Sequence, residues 1–266
     1  FMTQMLKMDP AQANTLLIIS VVIGAPFFVF FGWLSDRIGR KPILMLGLLL
    51  ATVLYFPLFK ALSHYANPQI DAASRQAPIV VMADPQGCTF QFDPVGKARF
   101  DSTCDKVKTF LVKQGLPYSS QSVPAGTEVV VSIGEQRIDG FDEAAMRAAI
   151  EKAGYPAKAD PANVNQPMVV LLIVAMILIA TMTYGPLAAV MVELFPTRIR
   201  YTSMSLPYHI GNGWFGGFLP TVSFALVVYT GDIFYGLWYP VLITGVSLVV
   251  GIFCLKETNK VDLDKV

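Results

Sequence analysis

Gly32-Trp33-Leu34-Ser35-Asp36-Arg37-Ile38-Gly39-Arg40-Lys41-Pro42 is a short basic turn between two long apolar runs, residues 11–34 and 43–62. A helix crosses the bilayer core with about 20 mostly apolar residues. Both runs have that length, and a turn of a few residues cannot itself cross. The two runs therefore read as an antiparallel pair of spanning helices. Asp9 is placed to cap the first, and Pro10 suits its first turn.

Outward from this hairpin, residues 167–194, 202–228 and 238–255 are also long and apolar enough to span. Composition agrees. The 266 residues are 54% hydrophobic and 15% charged, with mean hydropathy +0.53, whereas soluble domains carry about 25% charged residues. A net charge of +1 offers no field for nucleic acid. The chain opens on Phe1 without a signal-peptide pattern, which reads as a piece of a longer chain. The expected class is an α-helical integral membrane protein with five spanning helices and a small α/β insert.

The short loops orient the helices. Arg37, Arg40 and Lys41 sit in the first turn, Arg198 and Arg200 in the turn after the third run, and Lys256, Lys260 and Lys265 in the tail. The loop 229–237 has neither Lys nor Arg. The positive-inside rule places the basic turns and the C-terminus in the cytoplasm. Residues 63–166, between the second and third runs, then lie outside, in the periplasm or extracellular space.

That insert reads as folded. Residues 78–82 and 127–133 are β-branched and predict strands. Residues 105–114 predict a helix capped by Ser102 and stopped by Gly115, and 143–153 one capped by Asp142 and stopped by Gly154. Cys88 and Cys104 share this block, where an oxidising compartment favours a disulfide over two free thiols. Cys254, within the last run, reads as packing. Gly87 and Gly96 are isolated turn glycines and not a phosphate cradle. No nucleophile elbow or metal-ligand set is present in the sequence, so neither catalysis nor a metal or other cofactor is expected.

Gly32-x-x-x-Asp36-Arg37-x-Gly39-Arg40-Lys41 resembles the cytoplasmic loop signature of the major facilitator superfamily. Glu193-Leu194-Phe195-Pro196-Thr197-Arg198-Ile199-Arg200 resembles the loop after the tenth helix in that family's sugar-porter and metabolite–proton symporter branches. Leu255-Lys256-Glu257-Thr258 resembles the ending after the twelfth helix, with Lys256 where Pro is usual. Residues 200–217 look most like the metabolite–proton symporters. The resemblance implies a partial major facilitator fold. Residues 1–62 would be the end of the seventh helix with the eighth and ninth, 63–166 the insert, and 167–266 the tenth to twelfth helices with a tail. It further implies a bacterial inner (plasma) membrane location and proton-coupled symport of a small organic solute by alternating access. A missing N-terminal half would form the other wall of the solute path, leaving this piece unable to transport alone. An ion-independent facilitator, or a membrane-anchored sensor or scaffold acting through the insert, is the alternative.

Within that frame the expected cytoplasmic gate comprises Gly32, Asp36, Arg37, Gly39, Arg40, Lys41, Glu193, Arg198 and Arg200. Gly32 permits close helix approach, Asp36 suits a turn or a helix N-terminus, and Glu193 is expected to cluster with Arg198 and Arg200. Polar groups inside a bilayer are costly and mark a path. The path candidates are Thr181 and Tyr184 on the third run, and Ser205, Tyr208, His209 and Asn212 on one face of the fourth. Gly185-Pro186 is expected to break the third helix. His209 reads either as a proton carrier near neutral pH or as a neutral group bonding a neighbouring helix. Gly211, Gly213, Gly216 and Gly217 read as tight helix packing. His64 reads as solvated at an outer edge.

Overall fold

The computed structural model describes residues 1–95 and 97–259; the turn glycine Gly96 and the tail cations Lys260 and Lys265 lie outside them. Among the described residues, five helical stretches are long and apolar enough to cross a membrane: Pro10–Ile38, Arg40–Ala66, Gln166–Leu194, Arg200–Thr230 and Tyr235–Cys254. The first comprises α1 (Pro10–Gly24) and α2 (Pro26–Ile38), meeting at Ala25 ahead of Pro26, whose missing N–H interrupts the ladder. Asp9 Oδ2 accepts from Ala11 N and Gln12 N at 3.0 and 3.2 Å, capping α1. The second is α3 (Arg40–Ala66).

The insert opens with α4 (Pro68–Gln76), capped by Asn67, and β1 (Ile79–Ala83). Next come α5 (Thr103–Lys113), β2 (Ser119–Ser122), β3 (Val130–Ile133), β4 (Gln136–Asp139) and α6 (Glu143–Lys152). The sheet order is β2-β1-β3-β4, with β1 parallel to β2 across α5 and antiparallel to β3. Ser102 and Asp142 cap α5 and α6 through Asp105 N and Ala145 N, each at 3.0 Å. β1 buries Ile79, Val81 and Ala83 on one face. They meet Val107, Leu111 and Met146 from the two helices in a shared core.

Membrane helices resume with α7 (Gln166–Leu194). The fourth stretch runs through α8 (Arg200–His209), a π-helical segment Ile210–Gly216 and α9 (Gly217–Thr230). The last is α10 (Trp238–Cys254).

The residues gather into two compact units. The first joins Phe1–Thr15, Lys60–Val169 and Pro220–Gly236. The insert thus does not close its core from residues 63–166 alone. Val227 and Val228 of α9 are buried with it, and Tyr118 donates its hydroxyl to Val228 O and its N–H to Gly231 O. The second unit holds Leu16–Phe59, Val170–Leu219 and residues 237–259.

Two expectations about the helices change. α7 passes through Pro186 unbroken, because a proline removes one backbone hydrogen bond and the turns on either side keep theirs. Gly185 instead lets a neighbour approach: a Cβ there would lie 3.1 Å from Phe28 O and 3.2 Å from Gly32 N. Among the described residues the quartet Gly211, Gly213, Gly216 and Gly217 meets no neighbouring helix: the first three lie in the π-helical turns and Gly217 opens α9, and a Cβ on Gly211 or Gly213 would meet nothing within 4 Å. Cys254 ends α10 exposed, not packed.

Candidate functional site

Arg40 opens α3 immediately after Gly39, and its side chain ties the ends of α2 and α7 to that helix. Nη1 donates to Ser35 Oγ at 2.8 Å and pairs with Asp36 Oδ1; both acceptors belong to the last turn of α2. Nη2 donates to Glu193 Oε1 at 3.0 Å, at the end of α7. Thr258, after α10, donates its hydroxyl to Glu193 Oε2 at 2.6 Å. One planar guanidinium therefore serves three acceptors, a geometry that lysine cannot reproduce.

The two ion pairs differ in weight. The Arg40 and Glu193 side chains are 11% and 12% exposed, whereas Asp36 is 61% exposed. Exposed pairs contribute little. Losing one partner of a half-buried pair leaves its charge uncompensated.

Glu257 completes the cluster. Its carboxylate accepts Arg40 N at 2.8 Å and Lys41 N at 3.1 Å, so it caps α3 where the helix dipole favours an anion. Burial pushes this carboxyl up, but N–H groups of Arg40, Asn259, Lys41 and Thr258 outweigh that and hold its pKa below the usual value. Gly39 makes room: its φ is +108°, and a Cβ there would lie 2.5 Å from Glu257 Oε2.

The remaining expected gate residues take other positions. Arg37 stacks over the Trp33 ring at 4.0 Å, and Lys41 Nζ donates to Ile252 O at 2.8 Å. Gly32 faces Gly185. Glu193 does not cluster with Arg198 and Arg200. Arg200 Nε donates to Phe195 O at 3.1 Å within its own turn, Arg198 is exposed, and Glu193 turns to Arg40, whose N–H fork fits both its oxygens.

The path candidates do not converge. Thr181 is buried and donates to Leu178 O of its own helix at 2.8 Å. Tyr184 is exposed on α7. Ser205, Tyr208, His209 and Asn212 share the α8 stretch, where Asn212 Nδ2 reaches Tyr208 O at 3.2 Å and the His209 and Tyr208 rings lie 5.8 Å apart. Among the described residues, no hydrogen bond links the α7 pair to the α8 four.

Sequence reasoning missed Ser35, Glu257 and Thr258 as parts of the cluster. A signal was available, since Glu257-Thr258 lies in one of the three family-like motifs.

Residues 1–72 match the family model of the Major Facilitator Superfamily. It is 40% identical over 48 residues to a citrate-proton symporter of Klebsiella pneumoniae, covering 18% of this chain and 11% of that one. It is 31% identical over 85 residues to a putative metabolite transport protein of Haemophilus influenzae, covering 32% and 19%. These matches span under a fifth of each relative's length. No solved structure matches. With five apolar helices among its described residues, the chain is a multi-pass membrane protein.

Proposed function

We propose that this chain is part of a proton-coupled symporter of the major facilitator type for a small organic solute, working by alternating access, and that the Arg40 cluster is its cytoplasmic latch. The supporting observation is the bridge from Arg40 to Asp36 and Glu193, which ties the ends of α2, α3 and α7 through charges. Such contacts can close one side of a path and release it when the helices rock. The relatives named as a citrate-proton symporter and a metabolite transport protein support the transport class. In this fold the path lies between two six-helix halves, so transport is assigned to the assembly with a further N-terminal half and not to these helices alone.

The cations of the short loops support an orientation with the cluster and C-terminus cytoplasmic and the insert outside, as in a bacterial inner membrane. The Cys88 and Cys104 Cα atoms lie 5.3 Å apart, within reach of a disulfide suited to that outer compartment. Two alkylatable thiols in non-reduced protein would contradict that assignment. His209 is the candidate proton carrier, being the titratable side chain on the polar face of α8.

Uptake into proteoliposomes holding the full-length transporter, with and without a proton gradient, tests the function. Gradient-driven accumulation supports symport. Equilibration independent of the gradient indicates a facilitator without ion coupling.

A further inference from the structure

We propose that the face of the first unit formed by α5 and α6 is a binding site for a small organic polycarboxylate, held by Lys106 and Lys113 above a phenylalanine floor. Three adjoining cavities of 390, 420 and 480 Å³ meet there, and Lys113 lines all three. Lys106, Thr109, Phe110 and Lys113 fall at i, i+3, i+4 and i+7 of α5, so they share one helix face. The two lysines stand about 10 Å apart along the helix axis. α6 adds Arg147, whose guanidinium lies 5.3 Å over the Phe110 ring. Phe141 meets Phe110 edge-on at 6.1 Å and, with Phe100, lines the same cavity.

The charge on this face is the informative part. The insert as a whole carries twelve carboxylates against ten Lys and Arg, so cations concentrated along one groove are not a by-product of a basic domain. The carboxylates lining the three cavities are already engaged. Asp9 caps α1, Asp93 accepts the N–H groups of Val95, Lys97 and Ala98, and Glu143 pairs with Arg147 at 2.7 Å. Lys106, Lys113 and Lys158 form no ion pair among the described residues. Ammonium groups separated along a helix suit a ligand whose anionic groups are separated by carbon. The phenyl floor suits that carbon skeleton. Inorganic phosphate offers one compact charge and nothing for the rings.

That the bound polycarboxylate is also the transported solute rests on the symport reading; the binding itself is measured apart from uptake. The test is equilibrium dialysis of radiolabelled citrate and succinate against the full-length protein in zwitterionic nanodiscs. Lys106→Gln with Lys113→Gln removes two exposed charge contacts and should weaken binding by about tenfold. Lys152→Gln, on α6 but outside the groove, should leave it unchanged, and Lys113→Arg should retain it. Binding of neither probe, equal affinity in all variants, or equal displacement by phosphate or by anionic lipid headgroups would each overturn the site. Binding intact without uptake would overturn the symport reading and leave the site standing; uptake intact without binding would overturn the site alone.

Discussion

Arg40 and Glu193 are 153 residues apart in sequence and 3.0 Å apart in space. Both are largely shielded from solvent, and Arg40 holds Ser35 and Asp36 with its other nitrogen. Arg40→Lys keeps the charge and removes the fork. If the cluster is the proposed latch, turnover should fall about tenfold with solute affinity nearly unchanged, since a latch contact is made outside solute binding. Paired kinetic and equilibrium binding measurements on the full-length transporter check this.

Glu257 caps α3 through two backbone N–H groups. Glu257→Gln should cost about 1 kcal/mol, as other N-terminal cap losses do. The lowered pKa sets the sign: the cap's contribution is present above the ordinary glutamate range and is lost as pH falls through the lower folded value. Thermal melts of wild type between about pH 6 and 3 should show this loss, and the Glu257→Gln variant should lack it.

Gly231 sits at φ +81°, and a Cβ there would clash with Tyr118 O, the same carbonyl side of the residue whose N–H bonds Gly231 O at 3.1 Å. Burial pushes the Tyr118 phenol above its usual range, so its hydroxyl stays a donor to Val228 O. Gly231→Ala should destabilise the first unit by more than 1 kcal/mol, since both strain and the clash act together. Tyr118→Phe should cost about 1 kcal/mol. Hydrogen exchange across β1 and α5 in the two variants reports the difference.

Lys7 is half-buried and donates to Pro156 O at 3.0 Å, and desolvation lowers its pKa to about 8. The unfolded chain, with Lys near 10.4, binds the proton more tightly than the folded one. Stability should therefore rise as pH increases from about 8 to 10, with the burial penalty fully present below that window. Lys7→Met should flatten this slope in pH-dependent melts.

The spans were legible because hydrocarbon thickness dictates length, and the caps Asp9, Ser102 and Asp142 because short side chains at helix starts have one obvious task. β2 was not legible: Ser119, Ser120, Gln121 and Ser122 are all exposed and polar, and only pairing with β1 makes them a strand. The insert's boundary was hidden as well, because Val227 and Val228 read as membrane residues yet complete its core. Pro186 looked like a helix break because the sequence does not show that flanking turns hold. Glu257 was invisible as a cap because the helix it caps begins 217 residues earlier. Glu193 was assigned to Arg198 and Arg200 by proximity in sequence, and the partner that fits its geometry came from another helix.

The most direct test of the latch is proton-driven uptake by the full-length transporter carrying Glu193→Gln, compared with wild type at equal membrane insertion. The account predicts turnover reduced several-fold or more, with solute binding altered far less. Wild-type turnover in normally inserted Glu193→Gln protein would contradict it.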